Sequence, residues 1–111
     1  MRPGSLPLAM VRGDDYSLLL TFTDKDGARI PLTGRSYRAQ IREDADAPTL
    51  LAEFDIDITQ LGTGELRLGL DKAVTSALPE FGVWDLEETG TDGKVQTLLA
   101  DVVTVEPDVT R

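Results

Sequence analysis

The chain has 111 residues, and 20 acidic side chains against 11 basic ones give it a formal net charge of −9. It contains neither cysteine nor histidine, which excludes disulfides, Ser-His and Cys-His catalysis and the usual zinc sites. The acidic surface repels nucleic-acid phosphate and anionic lipid, so neither nucleic acid nor a membrane is expected as a partner. The length fits one domain, residues 1–111, with its own hydrophobic core.

The first half of the chain predicts short strands separated by turns. Prolines and a Pro-Gly step predict that residues 1–7 form a flexible arm. Residues 8–11 and 16–23 predict two strands, and Asp24-Lys25-Asp26-Gly27 predicts a hairpin-type turn. Residues 36–42 alternate between apolar and polar types, which predicts a strand with three inward side chains, Tyr37, Ala39 and Ile41.

The second half predicts further strands and one helix. Residues 51–58 predict a single strand, and residues 65–70 predict another with three inward leucines. Residues 71–78 form the only plausible helix, because Asp71 suits its N-cap and Pro79 ends it. The inward residues expected in the strand at 51–58 are Ala52, Phe54, Ile56 and Ile58.

The last two strands supply the centre of the expected core. Trp84 is the only tryptophan and buries on the order of 200 Å², so the core is expected to form around it. Residues 94–106 predict a long final strand that is apolar on both faces and therefore either central or covered by a partner. The two faces are Val95, Leu99, Val103 and Val105 against Leu98, Ala100 and Val102. Residues 107–111 are expected to form a tail.

Six to eight short strands, with a turn signal every 8–12 residues and one short helix, predict an all-β fold. The expected architecture is an antiparallel immunoglobulin-like β-sandwich. Because the chain has no cysteine, the Cys-Trp-Cys framework is missing and the likeness is one of architecture only.

Candidate chemical sites are outweighed by simpler structural interpretations. Asp55 and Asp57 lie opposite the apolar set of their strand, so a solvated face is favoured over a catalytic pair. The Asp24-Lys25-Asp26-Gly27 turn resembles a fragment of a calcium loop but lacks the distal ligands, although calcium between acidic loops stays open. A core role for Trp84 is favoured over stacking on a sugar. No catalytic, metal-binding or cofactor-binding residue is assigned, and no cofactor is expected.

Three arginines form the main candidate for partner binding. Arg35, Arg38 and Arg42 cluster within one predicted strand and its approach. They form either a stripe that docks on the carboxylates of a partner or, as favoured here, a solvated sheet face. In the second case the arginines pair across strands with Glu53, Asp55 or Asp57.

Several motifs resemble those of a known group of proteins. Gly-Asp-Asp-Tyr precedes a Leu/Thr/Phe strand, Pro-Leu-Thr-Gly precedes Tyr-Arg-Ala-Gln-Ile-Arg, and Phe-Gly-Val-Trp-Asp-Leu precedes the closing strand. The pattern resembles small structural proteins of tailed-bacteriophage and prophage virions. It also resembles the N-terminal domains of phage baseplate upper proteins and of tail or head fibres. The resemblance covers residues 13–26, 31–42 and 81–111, and all its motifs are strand-and-turn patterns.

The resemblance implies a non-enzymatic structural component of a tailed-phage virion, in the tail, baseplate, neck or capsid, assembled in the host cytoplasm. Its partners would be other virion proteins and further copies of itself, and deleting residues 1–7 is expected to preserve the fold but abolish assembly. The alternative is a monomeric ligand-binding module of the carbohydrate-binding kind. Residues of the arm and tail are expected to reach neighbouring subunits: Met1, Arg2, Pro3, Val109, Thr110 and Arg111.

Overall fold

A computed structural model of the chain describes residues 3–47 and 49–107. The elements, in chain order, are β1 Leu8–Val11, β2 Tyr16–Thr21, β3 Ser36–Arg42, β4 Leu50–Glu53, β5 Asp55–Asp57, a 3-10 turn Leu61–Thr63, β6 Glu65–Leu70, α1 Lys72–Ser76, β7 Phe81–Thr89 and β8 Val95–Glu106. This confirms a mostly β chain with one short α-helix in its described part.

The strands form two sheets. The larger sheet has the order β1-β8-β7-β3-β4 and the smaller one β2-β6-β5. Neighbouring strands are antiparallel except that β1 runs parallel to β8, with Leu8 opposite Val103 and Val11 opposite Glu106. Two sheets whose apolar residues share one core are consistent with the predicted β-sandwich.

The core forms around Trp84, as predicted. This side chain is 2% exposed, and its ring lies edge-on to that of Phe54, with centroids 5.9 Å apart. Phe54 in turn contacts Tyr16 of the smaller sheet, 6.5 Å between centroids. The predicted inward leucines of β6 are all buried. Aromatic rings therefore link the two sheets directly.

The predicted strand at 51–58 is wrong as a single element. β4 belongs to the larger sheet and β5 to the smaller one, and the chain crosses between them at Phe54. The Phe54 amide donates to the carbonyl of Ala39 at 2.9 Å, which fixes the crossing. Ala52 of β4, Phe54 at the crossing and Ile56 of β5 all point into the core. The alternation of apolar and polar residues therefore continues without a break, and it does not reveal the change of sheet. The run ends before Ile58, which is exposed.

The described part of the predicted arm packs against the domain. The Gly4 amide donates to the carbonyl of Leu98 at 2.8 Å, and the Ala100 amide donates to the carbonyl of Gly4 at 3.0 Å. The Trp84 indole N–H donates to the carbonyl of Leu6 at 2.9 Å. Residues 3–7 thus extend β1 along the edge of β8 rather than projecting from the fold. Residues 1–2, and residues 108–111 of the predicted tail, lie outside the described residues.

The helix forms where the sequence predicts it. The Asp71 carboxylate accepts from the amides of Ala73 and Val74 at 2.9 and 3.1 Å, an N-cap. Buried Thr75 accepts from the Gly13 amide at 3.1 Å and donates to the Asp14 carbonyl at 2.8 Å. The helix is therefore fastened to the turn between β1 and β2.

A β-bulge interrupts the last strand. Leu86 lies opposite Leu99 but Glu87 lies opposite Thr97, so Leu98 is the extra residue. The bulge shifts the phase of the alternation, so the prediction that Val95 shares a face with Val103 and Val105 is wrong. Val103 and Val105 are buried, whereas Val95 is exposed.

Candidate functional site

The most distinctive surface is the outer face of the larger sheet, turned away from the smaller sheet. Because side chains alternate along a strand, the residues between the buried ones point outward there. We define the outer face by these residues: Arg38, Gln40 and Arg42 of β3, Leu50 and Glu53 of β4, Phe81, Val83, Asp85 and Glu87 of β7, and Ala100 and Val102 of β8.

Strand register arranges the outer face in rows that cross the sheet. One row runs Leu50, Arg42, Val83 and Val102, from β4 through β3 and β7 to β8. The row beside it runs Glu53, Gln40, Asp85 and Ala100, and the next brings Arg38 opposite Glu87. The first row therefore has an apolar residue at each end, and charged residues lie on the two central strands, β3 and β7.

Three large apolar side chains are exposed on this face. Phe81 is 69% exposed, Val102 50% and Leu50 41%. Beside Val83 and Val102 the surface sinks into a shallow cavity of about 350 Å³. Grouped apolar residues on an open sheet face are typical of a contact surface rather than of a folded interior.

Both predicted arginines on this face make contacts within the chain. Arg38 Nε donates to Glu53 Oε2 at 2.9 Å, which is the predicted cross-strand pair. The hydrogen bond from Arg38 is the main reason that the pKa of Glu53 lies below its usual value. Arg42 donates to the Gln40 amide oxygen at 3.1 Å and to the Ala47 carbonyl at 3.3 Å.

Next to these arginines lie the two outward-facing acidic residues of β7, Asp85 and Glu87. Within the part of the chain that the structure describes, the carboxylates of Asp85 and Glu87 make no hydrogen bond and no ion pair. Burial raises the pKa of Asp85, and the neighbouring charge of Glu87 raises it further, against the opposing effect of Arg42 and Arg38. An acid that is partly desolvated and unpaired is one that an outside cation or hydrogen-bond donor stabilises.

Arg35 belongs to a different site. It lies 3.2 Å from buried Glu88, whose other oxygen accepts from the Tyr37 hydroxyl at 2.7 Å. Burial, and then the hydrogen bond to Glu88, hold the pKa of Tyr37 far above its usual range. Tyr37 and Glu88 occupy inward positions of β3 and β7. The structure thus brings Arg38 and Arg42 together on the outer face and places Arg35 at the end of the sandwich.

Pro3 borders an open depression of about 920 Å³ at the turn between β7 and β8, which Arg35 and Glu88 also line. The other predicted arm and tail contacts, Met1, Arg2, Val109, Thr110 and Arg111, lie outside the described residues.

The alternative chemical sites have local structural explanations. Trp84 is enclosed in the core and offers no ring face to a sugar. The Asp24 carboxylate accepts from the amides of Asp26 and Ala28 at 2.8 and 3.1 Å, which makes a turn of its loop. Across residues 3–47 and 49–107, no three Asp or Glu side chains converge as metal ligands do. No helix in the same ranges has the length and apolar character needed to cross a bilayer.

Comparison with protein-family models and with curated protein sequences gives no match to this chain.

The sequence pointed to part of the outer face. The apolar second side of the last strand identified Ala100 and Val102 in advance, and the arginine cluster identified Arg38 and Arg42. Asp85, Glu87 and Phe81 were missed as surface partners, because only the register between β3, β7 and β8 shows that they share the face with the arginines.

Proposed function

We propose that this chain is a non-enzymatic structural component of a tailed-phage virion that works through subunit contacts made by the outer face. The observation that carries the contact role is the exposure of Phe81, Val102 and Leu50 on one open sheet face that also bears two unpaired carboxylates. An exposed apolar group of this kind is stabilised by contact with another surface.

We also propose that the topology is immunoglobulin-like. If β1 to β8 are labelled A′, B, C, C′, D, E, F and G, the sheets become A′GFCC′ and BED, with α1 at the E–F corner. This is the division of strands in a variable-type domain without its C″ strand. Such sandwiches present binding surfaces on their sheet faces and loops, so the analogy favours an interaction module.

The virion assignment rests on the motif resemblance of residues 13–26, 31–42 and 81–111. Under this proposal the protein is located in the virion, and its partners are other virion proteins and further copies of itself. An assembly role also explains why apolar area is kept on a surface that the fold of a single copy does not need.

The experiment is quantitative mass spectrometry of density-purified particles from a lysogen that carries the gene. We expect the chain in fixed, near-integral proportion to other virion proteins, and we expect an in-frame deletion of the gene to give particles without it that lack a structure or fail to mature. An abundant host cytoplasmic protein of similar mass serves as the control for carry-over. Particles in which the chain is no more abundant than this control contradict the proposal.

A further inference from the structure

We infer that the outer face binds a second copy of the same face, about a two-fold axis that lies in the interface, runs along the strands and passes between β3 and β7. This inference deepens the proposed function and rests on it only in taking the outer face as a contact surface. It is carried by the order of residues in the rows of that face.

The first step concerns the apolar residues at the two ends of one row. A half-turn about the stated axis exchanges β3 with β7 and β4 with β8, and leaves each row at its own height. The row Leu50, Arg42, Val83, Val102 then faces the same row of the second copy in the opposite order. Leu50 of one copy meets Val102 of the other at both ends of the row, and the Arg42 side chain lies over Val83. The exposed residues Leu50 and Val102 therefore cover one another.

The second step concerns the charges. The same half-turn places Arg38 over Glu87 and Gln40 over Asp85 of the second copy, since these residues face each other across β3 and β7. Each unpaired carboxylate gains a donor, and each contact occurs twice by symmetry. The existing pair between Arg38 and Glu53 is largely exposed, so exchanging it costs little.

The third step concerns net charge. Two copies that each carry −9 repel one another over most of their surfaces. On the two central strands of the outer face, however, Arg38 and Arg42 offset Asp85 and Glu87, one basic and one acidic column side by side. A surface with this arrangement is complementary to itself, and a purely basic partner would be repelled by half of it.

The fourth step concerns size. The half-turn pairs four strands, β4, β3, β7 and β8, and leaves β1 outside the contact. Four strands about 4.8 Å apart and β7 with its nine residues make a face of about 19 by about 30 Å, or about 600 Å². This is about three quarters of the area of about 800 Å² that each partner contributes to a stable protein interface. Sheets that pack face to face in this way keep their strand directions within about 30°, which preserves the opposition of rows near the axis.

The experiment begins with sedimentation velocity of the full chain over a concentration series, where we expect a monomer–dimer equilibrium. Val102→Arg is expected to weaken dimerisation about 100-fold, because it buries a cation against Leu50 of the other copy. Leu19→Arg is the matched control: Leu19 is 45% exposed, close to the 50% of Val102, but lies in the smaller sheet. Circular dichroism melting confirms that both variants are folded.

A mixing experiment tests the axis itself. Arg38→Glu places an acidic side chain over Glu87 of the other copy, and Glu87→Arg places a basic side chain over Arg38. Each variant alone is therefore expected to dimerise about 10-fold more weakly than the natural chain. Mixed in equal amounts, they are expected to form a heterodimer at least as tight as the natural dimer, because both contacts between positions 38 and 87 then join opposite charges.

Several results would overturn the inference: a monomer at every concentration, an open series of larger species, equal loss from Leu19→Arg and Val102→Arg, or no heterodimer on mixing. The particle analysis separates this failure from that of the proposed function. A chain that is monomeric yet stoichiometric in particles refutes only the two-fold contact. A chain that dimerises but is missing from particles refutes only the virion role.

Discussion

The two faces of the larger sheet are formed by the same strands, but one face is buried and the other is exposed. On the inner face Trp84 and Leu86 are enclosed by the smaller sheet, whereas on the outer face Phe81 and Val102 remain open to solvent. Apolar residues on the inner face stabilise the fold of one copy. Those on the outer face contribute little to that fold, so their stabilising effect is available to a second surface.

The largest expected effect comes from the inner face. Trp84→Ala should lower the free energy of unfolding by about 3–5 kcal/mol, because it leaves a cavity beside Phe54. Phe81→Ala on the outer face of the same strand should change it by less than about 0.5 kcal/mol. Urea denaturation followed by far-ultraviolet circular dichroism measures both without relying on tryptophan emission. Equal losses in the two variants would erase the distinction between the faces.

The next effect concerns the strip of chain that closes the edge of the inner core. Deleting residues 1–7 should lower the free energy of unfolding by about 2–3 kcal/mol, since it removes two backbone hydrogen bonds to β8 and the acceptor of the Trp84 indole. The sequence alone predicts instead that the fold is unaffected by this deletion. Urea titration distinguishes the two outcomes: an unchanged midpoint at unchanged slope would show that residues 3–7 do not stabilise the core.

A smaller effect is expected at the polar end of the inner face. Glu88→Ala should cost about 2 kcal/mol, because the Tyr37 hydroxyl loses its acceptor and Arg35 its counter-charge. Glu87→Ala, one residue along and on the outer face, is the matched control and should stay within about 0.5 kcal/mol under conditions where the chain is monomeric. Thermal melts at low protein concentration compare the stabilities of the two variants. A larger loss of stability in Glu87→Ala than in Glu88→Ala would contradict this prediction.

The smallest expected effect is that of Asp85, and it separates the two faces most clearly. Removing its charge should stabilise the fold of one copy but weaken the dimer. The pKa of Asp85 is raised in the fold, so its contribution favours the folded state below the ordinary value of 3.8 and is lost as pH rises through the higher folded value. At neutral pH the ionised carboxylate therefore slightly destabilises a single copy. Asp85→Asn should raise the melting temperature slightly at pH 7 while weakening the dimer.

The pH dependence supplies the control for Asp85→Asn. The difference in melting temperature should shrink when the natural chain is studied in acid, where Asp85 is protonated in both folded and unfolded states. A variant that is less stable at neutral pH, or whose dimer is tightened, would contradict the role given to this carboxylate.

Local pattern was enough to predict most elements of this fold. The alternation of Ala39 and Ile41, the cap at Asp71 and the central position of Trp84 all follow from short-range chemistry and are confirmed by the structure. The crossing at Phe54 and the bulge at Leu98 were missed, since both depend on which strand pairs with which. For the same reason the outer face was found only in part: the placement of Arg38 opposite Glu87, 49 positions later in the chain, depends on the register between β3 and β7.

The parallel pairing of β1 with β8 has a mechanical consequence. The chain enters the domain where Gly4 meets Leu99 and leaves it where Val11 meets Glu106, so a tensile force applied at residues 3 and 107 pulls the two strands in opposite directions along their length. The hydrogen bonds between them are then loaded in shear, all at once, rather than opened one after another. A domain tied in this way resists extension between residues 3 and 107.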